Sequence, residues 1–546
     1  MRVRRLFLLL PLALIAFLFF LRSCPKQEEV KSDRPPPLPQ DTFIQAYFNH
    51  NQAQGANYQE PYRKITRPGD NLEQVIIDTI NSAQSSIDIA VQELRLPGVA
   101  RSLYEKHQAG VQVRVIIENS YNRPWSDLTP AEVTKLEPRE RGSYQEFVAL
   151  VDQNKNKKLS NEEINQGDAL VMLRNAGVPL IDDTADGSEG SDLMHHKFVV
   201  VDGQTVVTGS ANFTTSGIHG DFSNPDSRGN ANNLLKINNP QLAQIFTQEF
   251  NLMWGDGPAG KPDSKFGLQK PPRPPQQVTI GNTKVTVQFS PTSPSQPWQS
   301  SSNGLIAKTL ASSTESVNLA LFVFTEQQLV NVLETRHKQG VEVSSLIDPS
   351  FAFRNYSEGL DMLGIALSQK CQYEANNRPW QTPIADVGVP QLAEGDKLHH
   401  KMAVIDGKNV ITGSHNWSAA ANHNNDETVL ILENPVIAAH FSREFERLYA
   451  PAILGIPVKL QEKIKAEEEA CSQITTVSSP NAVSGLVNLN TATQKELETL
   501  PGIGPALAQR IIATRQEQPF TSLEDLQRVS GIGPSSQQKL DGRVSW

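Results

Sequence analysis

The chain has 546 residues, 38% of them hydrophobic and 20% charged, with a net charge of −9 at pH 7. This length exceeds one ordinary core, so we expect two to four domains. The acidic balance excludes a global positive field for nucleic acid, and any such binding must be local. Three cysteines exclude a disulfide framework, because they form one pair at most.

Residues 1–24 have the pattern of a signal peptide or a membrane anchor. Three arginines precede an apolar run from Leu6 to Leu21, which is short for a membrane span. Cys24 follows where a bacterial lipoprotein would be cut and acylated, although Arg22 fits such a site poorly. In either case we expect an exported protein, anchored at the cell envelope or released to the periplasm or outside, with a proline-rich linker over 25–41.

A repeat with an offset of 230 residues predicts two homologous halves. The segment "NSAQSSIDIA" (81–90) matches "ASSTESVNLA" (311–320), and "KHQAGVQVRVII" (106–117) matches "RHKQGVEVSSLI" (336–347). Each half therefore contains a strand-like alternating run, a helix-length stretch and a second strand, which is typical of an α/β fold.

We predict an α/β protein with two α/β/α halves, over 42–254 and 278–454, packed as an internal pseudo-dimer in a monomeric chain. A hinge rich in Gly and Pro over 255–277 joins the halves. A polar linker over 455–485 then leads to a small all-α domain over 486–546.

An insertion in the first half contains a segment, 152–163, that resembles the calcium loop of an EF-hand. Oxygen-bearing side chains occupy the ligand positions, and Lys158 offers its backbone carbonyl. Lys157 stands where glycine is expected, so it must be left-handed, at a cost of about 1 kcal/mol. The alternative is a plain helix capping box. The candidate ligands of this structural Ca²⁺ site are Asp152, Asn154, Asn156, Lys158, Ser160 and Glu163.

A longer phrase occurs twice, as "HHKFVVVDGQTVVTGSAN" (195–212) and "HHKMAVIDGKNVITGSHN" (399–416). In each, β-branched runs flank Asp-Gly, which predicts a tight hairpin. Residues two apart share one face of a strand, so each hairpin brings polar groups to a common side. These groups are His195, Lys197, Ser210 and Asn212 in the first half and His399, Lys401, Ser414 and Asn416 in the second.

Each half thus offers one imidazole, one cation and neutral donors, which together suit an anion. Two halves packed face to face would place two histidines across one phosphorus atom, as nucleophile and as acid for the leaving oxygen. The lysines, serines and asparagines would stabilise charge on the other oxygens. This set of groups requires no metal, so we expect no cofactor for catalysis.

The pattern His-x-Lys-x4-Asp followed by Gly-Ser-x-Asn, present twice, resembles the HKD motifs of the phospholipase D superfamily. The resemblance covers roughly residues 70–450. It implies a phosphodiesterase with a phosphohistidine intermediate, in which His195 is the nucleophile and His399 the acid and then the base. It also adds Asp202 and Asp406 to the catalytic set, although each precedes Gly and is equally well explained as a turn residue.

One asymmetry distinguishes the halves. When they are aligned on their shared Asn-Pro pairs, Glu427 falls opposite Asn232. The family usually has an acid here that orients an active-site histidine, and Glu427 meets this requirement. The first half has no acid in that register, and Asp221 or Asp226 is the alternative there. We therefore expect the two histidines to differ in basicity.

The C-terminal segment contains two Gly-Ile-Gly turns between helix-like stretches. It resembles the tandem helix-hairpin-helix domains of bacterial competence DNA receptors, which implies sequence-independent DNA binding through backbone N–H groups. Its six Lys/Arg and six Asp/Glu give thin electrostatic support, so a protein-interaction or structural role is the alternative. The candidate DNA-binding residues are Gly502, Ile503, Gly504, Gly531, Ile532 and Gly533.

The residues indicate chemistry at a phosphodiester but do not fix the substrate. An exported DNA-binding nuclease accounts for the C-terminal domain. A phospholipase D acting on phosphatidylcholine-type lipids accounts for the motifs and a membrane location, but leaves that domain without a purpose. A non-enzymatic DNA-capture protein is the third reading, and two complete motifs argue against it.

Overall fold

The computed structural model describes residues 34–188, 192–369, 371–374, 377–477, 487–498, 500, 503–529, 532, 540 and 544–546. The chain divides into two compact units, residues 1–467 and 468–546. The predicted signal segment with Cys24 lies outside the described residues. None of the helices within the described ranges is both long enough and apolar enough to cross a membrane.

The strands of the first half form one mixed sheet and a small ribbon. In chain order they are β1 (Ile44–Phe48), β2 (Asn57–Gln59), β3 (Thr66–Pro68), β4 (Ser86–Val91), β5 (Gln112–Ile117), β6 (Leu180–Asp182), β7 (Lys197–Val201), β8 (Thr205–Gly209) and β9 (Asn233–Asn238). The seven-stranded sheet has the order β1-β9-β8-β7-β4-β5-β6, and β2 pairs with β3. Strands β4, β5 and β6 run parallel, and the other neighbours are antiparallel.

The second half repeats this arrangement. Its strands are β10 (Gln276–Ile280), β11 (Thr283–Phe289), β12 (Ser316–Leu321), β13 (Glu342–Ile347), β14 (Val387–Val389), β15 (Lys401–Ile405), β16 (Asn409–Gly413), β17 (Thr428–Glu433) and β18 (Ile453–Leu454). They form a nine-stranded sheet in the order β10-β11-β17-β16-β15-β12-β13-β14-β18. The central order β17-β16-β15-β12-β13-β14 matches β9-β8-β7-β4-β5-β6, so the predicted α/β/α duplication is confirmed.

The helices of the first half are α1 (Leu72–Asn81), α2 (Pro97–Gln108), α3 (Pro130–Lys135), α4 (Pro138–Val151), α5 (Asn161–Gly167), α6 (Ala169–Asn175), α7 (Thr215–Ile218) and α8 (Pro240–Trp254). Those that follow in the first unit are α9 (Ser302–Ala311), α10 (Gln327–Lys338), α11 (Glu358–Met362), α12 (Ala419–His423), α13 (Pro435–Tyr449) and α14 (Val458–Val477), which continues into the second unit. Short 3₁₀ turns lie at Asn119–Tyr121, Trp125–Asp127, Ala185–Gly187, Gly267–Gln269, Trp298–Ser300 and Glu524–Arg528.

Local sequence explains the hairpins that carry the repeated phrase. Asp202 and Gly203 both have positive φ, of 53° and 60°, and they connect β7 to β8. Asp406 and Gly407 do the same between β15 and β16, with φ of 52° and 60°. Asp and Gly tolerate this left-handed backbone better than most residues, so the predicted tight hairpins are confirmed.

One hydrophobic core is shared by the two halves. Helices α8 and α13 contribute Phe246, Phe250 and Phe441 to a cluster that also contains residues from both sheets. Both helices begin at the repeated Asn-Pro, where Asn239 and Asn434 accept a backbone N–H from the first turn. Removing these aromatic surfaces from water stabilises the pairing of the halves.

The segment predicted as a hinge, 255–277, is partly packed into this core. Lys270 is 6% exposed, and its Nζ lies 2.5 Å from Glu249 Oε1 and 2.6 Å from Asp426 Oδ1. Gly267 N also donates to the Asp426 carboxylate. A buried ammonium requires such partners, so the segment supplies charge to the core as well as connecting the halves.

The second unit is a small helical domain with its own core. It contains α15 (Gln494–Leu497), α16 (Pro505–Glu517) and a parallel pair of short strands, β19 (Val487–Asn488) and β20 (Val544–Ser545). Apolar side chains of these elements and the intervening turns, including Leu489, Ile511 and Phe520, form its core.

Candidate active site

The first catalytic histidine is oriented by a carboxylate from the opposite half. His195 precedes β7, is 6% exposed, and its Nδ1 donates to Glu427 Oε2 at 2.7 Å. Ser414 Oγ donates to the same oxygen at 2.6 Å, and Asn425 Nδ2 donates to Glu427 Oε1 at 3.3 Å. With Nδ1 committed as donor, the ring is fixed in the tautomer whose Nε2 carries the free lone pair.

The second histidine is held in the same way by an amide. His399 Nδ1 lies 2.9 Å from Asn232 Oδ1, and Ser210 Oγ donates to that same oxygen at 2.7 Å. The amide is oriented in turn by Asn232 Nδ2, which donates to Gly217 O at 2.8 Å. The expected difference in basicity between the two histidines thus has a physical basis, because His195 faces a carboxylate whereas His399 faces a neutral carbonyl.

The halves also exchange backbone hydrogen bonds at the site. His195 N donates to Asp426 O at 3.0 Å, and His399 N donates to Ala231 O at 3.1 Å. These bonds place Glu427 and Asn232 directly beside the opposite histidines. Each histidine therefore lies against the half opposite its own, and the two are near enough for the charge of His195 to affect His399.

Two buried acids that sequence reasoning missed secure the backbone before each histidine. Glu118 Oε2 accepts Met194 N at 2.7 Å, and Asp348 Oδ2 accepts Leu398 N at 2.8 Å. Both acids follow the second strand of the repeat, and they are 230 residues apart. The repeat offset was the signal that could have found them.

The two motif lysines are buried beneath the site. Lys197 Nζ donates to His195 O and Lys401 Nζ donates to His399 O, each at 2.8 Å. Burial lowers the pKa of Lys197 to about 7 and holds the pKa of Lys401 well below its usual range. An incoming phosphate anion would favour their charged forms, so the site is suited to bind an anion.

Burial and the two neighbouring lysines also hold the pKa of both histidines well below its usual range. For His195 the cations concerned are Lys197 and then Lys401, and for His399 they are the same two in reverse order. Burial raises the pKa of Glu427 as well. The imidazoles are therefore neutral before substrate binds, which a nitrogen nucleophile requires.

The serines and asparagines of the motifs have different roles. Ser210 and Ser414 were predicted to contact phosphate, but their hydroxyls donate to Asn232 and Glu427, so they support the groups that orient the histidines. Asn212 Nδ2 donates to Gln92 Oε1 at 3.2 Å. The phosphate-binding role of Asn212 and Asn416 stays a prediction.

The catalytic assignment of Asp202 and Asp406 is corrected by the structure. Asp202 lies at the far end of β7 from Lys197, roughly 16 Å away along five strand residues. Its carboxylate accepts backbone N–H groups of residues 84, 85 and 86 at 2.7–2.9 Å. Asp406 binds the N–H groups of 314, 315 and 316. Both aspartates therefore join a hairpin turn to the start of β4 or β12.

The two halves differ in polarity at a matched position beside their motif residues. Gln92 follows β4 and accepts a hydrogen bond from Lys197 Nζ at 3.3 Å. Phe322 occupies the matching position after β12, and its ring centroid lies 5.0 Å from that of His399. An amide thus lies beside the first motif lysine, whereas an aromatic ring lies beside the second histidine.

The calcium-loop candidate lies between α4 and α5, as in a helix–loop–helix site. Lys157 is left-handed, with φ of 64°, as predicted. Asp152 accepts the N–H groups of Asn156 and Lys157, and Asn156 Oδ1 accepts Lys158 N. Ser160 and Glu163 also form a capping box for α5. The all-oxygen set, completed by Asn154, is the kind that Ca²⁺ prefers, and its binding here is a proposal.

The DNA-binding candidates fall partly outside the described residues, namely Gly502, Gly531 and Gly533. Ile503 and Ile532 are 4% and 5% exposed, so their side chains belong to the core of the second unit and present no contact surface. Gly504 is exposed at the N-cap of α16, and a Cβ there would meet open space. Only its backbone fits the predicted role of holding a phosphate.

The duplicated sheets and the paired histidines define a phosphodiester hydrolase. The family model for "Cardiolipin synthase, PLD-like domain" matches residues 76–254 and 306–449, more than half of the chain. The chain therefore belongs to the phospholipase D superfamily. A second model, for the helix-hairpin-helix motif, matches residues 483–545.

Similar proteins cover different shares of the chain. Mitochondrial cardiolipin hydrolase of Mus musculus is 31% identical over 180 residues, which span 32% of this chain and 72% of that protein. ComE operon protein 1 of Bacillus subtilis is 42% identical over 84 residues, which span 15% of this chain and 41% of that protein. The phosphatidylserine synthase structure from Haemophilus influenzae is 12% identical, covers 82% of this chain and 98% of its own, and has a TM-score of 0.47.

The corrected role of Asp202 predicts that Asp202→Ala lowers stability and spares turnover. Losing the bonds to residues 84–86 should reduce the free energy of unfolding by about 1–2 kcal/mol. Urea unfolding and kcat on a chromogenic phosphodiester measure the two effects, with Lys197→Ala as the catalytic comparison. Loss of kcat as large as in Lys197→Ala, at unchanged stability, would contradict the structural role.

The calcium proposal predicts a rise in Tm of the wild-type protein with millimolar CaCl₂, because a ligand that binds only the native state stabilises it. Asp152→Asn should abolish this rise, and the exposed Asp127→Asn should keep it. Differential scanning calorimetry with CaCl₂ and with NaCl of equal ionic strength measures the effect. If the wild-type Tm does not respond to calcium, the segment is only a capped helix start.

Proposed function

We propose that this protein is an exported nuclease that cleaves DNA through a phosphohistidine intermediate. The observation that supports it most directly is the pair of neutral histidines held across the halves, in a chain that also carries a helix-hairpin-helix domain. The first feature suits attack on a phosphodiester, and the second suits a nucleic acid as the molecule that contains it.

The unequal partners support His195 as the nucleophile. Attack of its Nε2 on phosphorus forms an N–P bond and leaves the ring positively charged, with Nδ1–H on the Glu427 carboxylate. That carboxylate stabilises the charge throughout the life of the intermediate. The negative charge of a bound phosphodiester favours uptake of a proton from solvent water on His399 Nε2. His399 has only the neutral carbonyl of Asn232 as its partner, so the imidazolium formed in this way is the stronger acid and the better proton donor to the leaving oxygen.

The second step reverses these roles at the same atoms. Neutral His399 Nε2 takes a proton from water, the water oxygen attacks phosphorus on the face opposite His195, and the N–P bond breaks. Lys197 and Lys401, with Asn212 and Asn416, stabilise the non-bridging oxygens. All proton transfers in this scheme use side chains of this chain and water.

Export is part of the proposal. The N-terminal segment has the pattern of a signal or anchor, and both Cys371 and Cys471 are disulfide-bonded. Disulfides persist in oxidising compartments such as the periplasm or the cell exterior, which supports the same location. Attachment to the membrane through residues 1–24, with or without acylation of Cys24, belongs to this proposal.

A phospholipid phosphodiesterase is the second candidate. It is favoured by the similarity of about a third of the chain to proteins named mitochondrial cardiolipin hydrolase. The same site chemistry serves a lipid or a nucleic acid, because both present a singly charged phosphodiester. The candidates differ in whether the C-terminal domain contributes to turnover of the physiological substrate.

The two-histidine mechanism predicts different defects when His195 or His399 is replaced. His195→Asn should abolish turnover of bis(p-nitrophenyl) phosphate, because no nucleophile remains. His399→Asn should give one burst of nitrophenolate and an adduct on His195, since this leaving group needs no acid but water needs a base. Stopped-flow absorbance and intact-mass spectrometry measure these outcomes. His107→Asn, on α2, is the control, and full steady-state activity in His399→Asn would refute the scheme.

The nucleic-acid proposal predicts that the C-terminal domain tethers DNA. Deleting residues 481–546 should leave kcat/KM on bis(p-nitrophenyl) phosphate unchanged but weaken duplex binding and slow cleavage of dilute DNA. Gly504→Val should weaken binding as well, because its side chain would occupy the space a phosphate needs at the start of α16. Fluorescence anisotropy at several salt concentrations measures the affinity and the number of phosphates contacted.

The same variants discriminate the lipid candidate. Full-length and truncated enzymes are assayed on phosphatidylcholine and cardiolipin vesicles beside DNA. If truncation leaves DNA binding and cleavage intact while vesicle hydrolysis equals or exceeds DNA turnover, the lipid candidate replaces the nuclease.

A further inference from the structure

The active site has a chemical difference at one matched position of the repeat. Gln92 and Phe322 are 230 residues apart, directly after β4 and β12. The amide of Gln92 is engaged by Lys197 and Asn212, at 3.3 and 3.2 Å. The phenyl ring of Phe322 has no oxygen that could accept such a hydrogen bond from Lys401. The second half has therefore exchanged a hydrogen-bond acceptor for an aromatic surface.

Phe322 is part of a small aromatic platform beside the second histidine. Its centroid lies 4.9 Å from that of Phe351, at an interplanar angle of 76°, and 5.0 Å from that of His399. Lys401 Nζ lies 4.9 Å from the Phe322 centroid. Both phenyl rings are partly exposed, whereas nearby Phe324 is fully buried. We call Phe322 and Phe351 the aromatic wall.

The position of the aromatic wall relates it to one side of the scissile bond. In-line displacement places the leaving oxygen opposite the nucleophile, and therefore next to His399 when His195 attacks. A group attached to that oxygen extends past His399, where Phe322 lies. With His195 as the nucleophile, the aromatic wall would therefore lie on the side of the leaving group.

We propose that the aromatic wall is a stacking subsite for the nucleobase of the leaving nucleotide, so that the DNA cleaved is a single strand or an unpaired end. The proposal rests on the nuclease function above and adds the form of its substrate. A paired base has both faces covered by its neighbours, and only an unstacked base offers a face to a protein ring.

The surroundings of the wall favour a base over a lipid chain. An acyl chain needs a continuous apolar groove, but Phe322 is bordered by the imidazole of His399 and the ammonium of Lys401. A nucleobase combines a flat apolar face with polar edges and suits such a mixed environment.

The test uses three thymidine dinucleotides with one phosphodiester each. The first has both bases, and the others carry a tetrahydrofuran abasic residue on one side or the other. The terminal phosphate of the products shows which nucleoside leaves. For the wild-type protein, kcat/KM should fall about tenfold when the leaving base is removed, the scale of one base–aromatic contact, and change little when the other base is removed.

Variants of Phe322 then separate stacking from packing. Phe322→Ala should be slower on the full dinucleotide, mainly through KM, and should lose the about tenfold difference in kcat/KM between that substrate and the compound without the leaving base. Phe322→Leu keeps an apolar side chain without a ring and should behave like Phe322→Ala. Phe322→Trp keeps an aromatic ring and should retain the dependence of kcat/KM on the leaving base. Phe43→Ala is the matched control, because Phe43 is an exposed phenyl at the far end of the first sheet.

Each other outcome counts against the proposal. Cleavage without dependence on the leaving base, or full base dependence in Phe322→Leu, overturns the stacking subsite and leaves the nuclease proposal standing. Turnover of bis(p-nitrophenyl) phosphate and phosphatidylcholine vesicles without cleavage of any dinucleotide overturns the nuclease function and the subsite together.

Discussion

A histidine can attack phosphorus only when one ring nitrogen is held by an acceptor and the other is left free toward the substrate. In this protein both acceptors come from the opposite half, Glu427 for His195 and Asn232 for His399. Neither half can therefore orient its own histidine. The shared core between the sheets and the exchanged backbone bonds at Asp426 and Ala231 maintain this single arrangement.

The electrostatics of the site follow from the close packing of the motif histidines and lysines of both halves. Burial lowers the pKa of both lysines and both histidines before substrate is present, and the charge of neighbouring lysines lowers the pKa of His195, His399 and Lys401 further. A phosphodiester anion supplies the missing negative charge and favours the lysines as cations. Binding and activation are thereby linked, because the ligand that reacts also favours the protonation state that the reaction needs.

Much of this arrangement was accessible from the sequence because it is local or repeated. Asp-Gly between β-branched runs specified the hairpins, and the spacing of His195 and Lys197 placed both at one end of a strand. Pairing across the halves was less accessible. Alignment put Glu427 opposite Asn232 but could not show which histidine each one holds, since that depends on tertiary packing. The serines were misassigned for the same reason, because their partners lie on other strands.

Other residues were missed or ambiguous for identifiable reasons. Glu118 and Asp348 sit at the repeat offset, and a comparison of strand ends would have revealed them. Asp202 and Asp406 fit both the family's catalytic pattern and a tight turn, and the structure places them in the turn. Lys270 has no repeated counterpart and lies in a segment rich in Gly and Pro, so nothing local indicated that its ammonium is buried.

The burial of Lys270 bears on how such a molecule could have arisen from two identical copies of one half. In a symmetric pair both halves carry the same residues, so either both halves or neither half would have acids at the positions of Asp426 and Glu427. Here the first half has Ala231 and Asn232 in those places, and the extra negative charge on one side is met by a cation from the connecting segment. The connecting segment therefore does more than join two similar halves: it carries a charge that lets their buried residues differ without leaving an acid unbalanced.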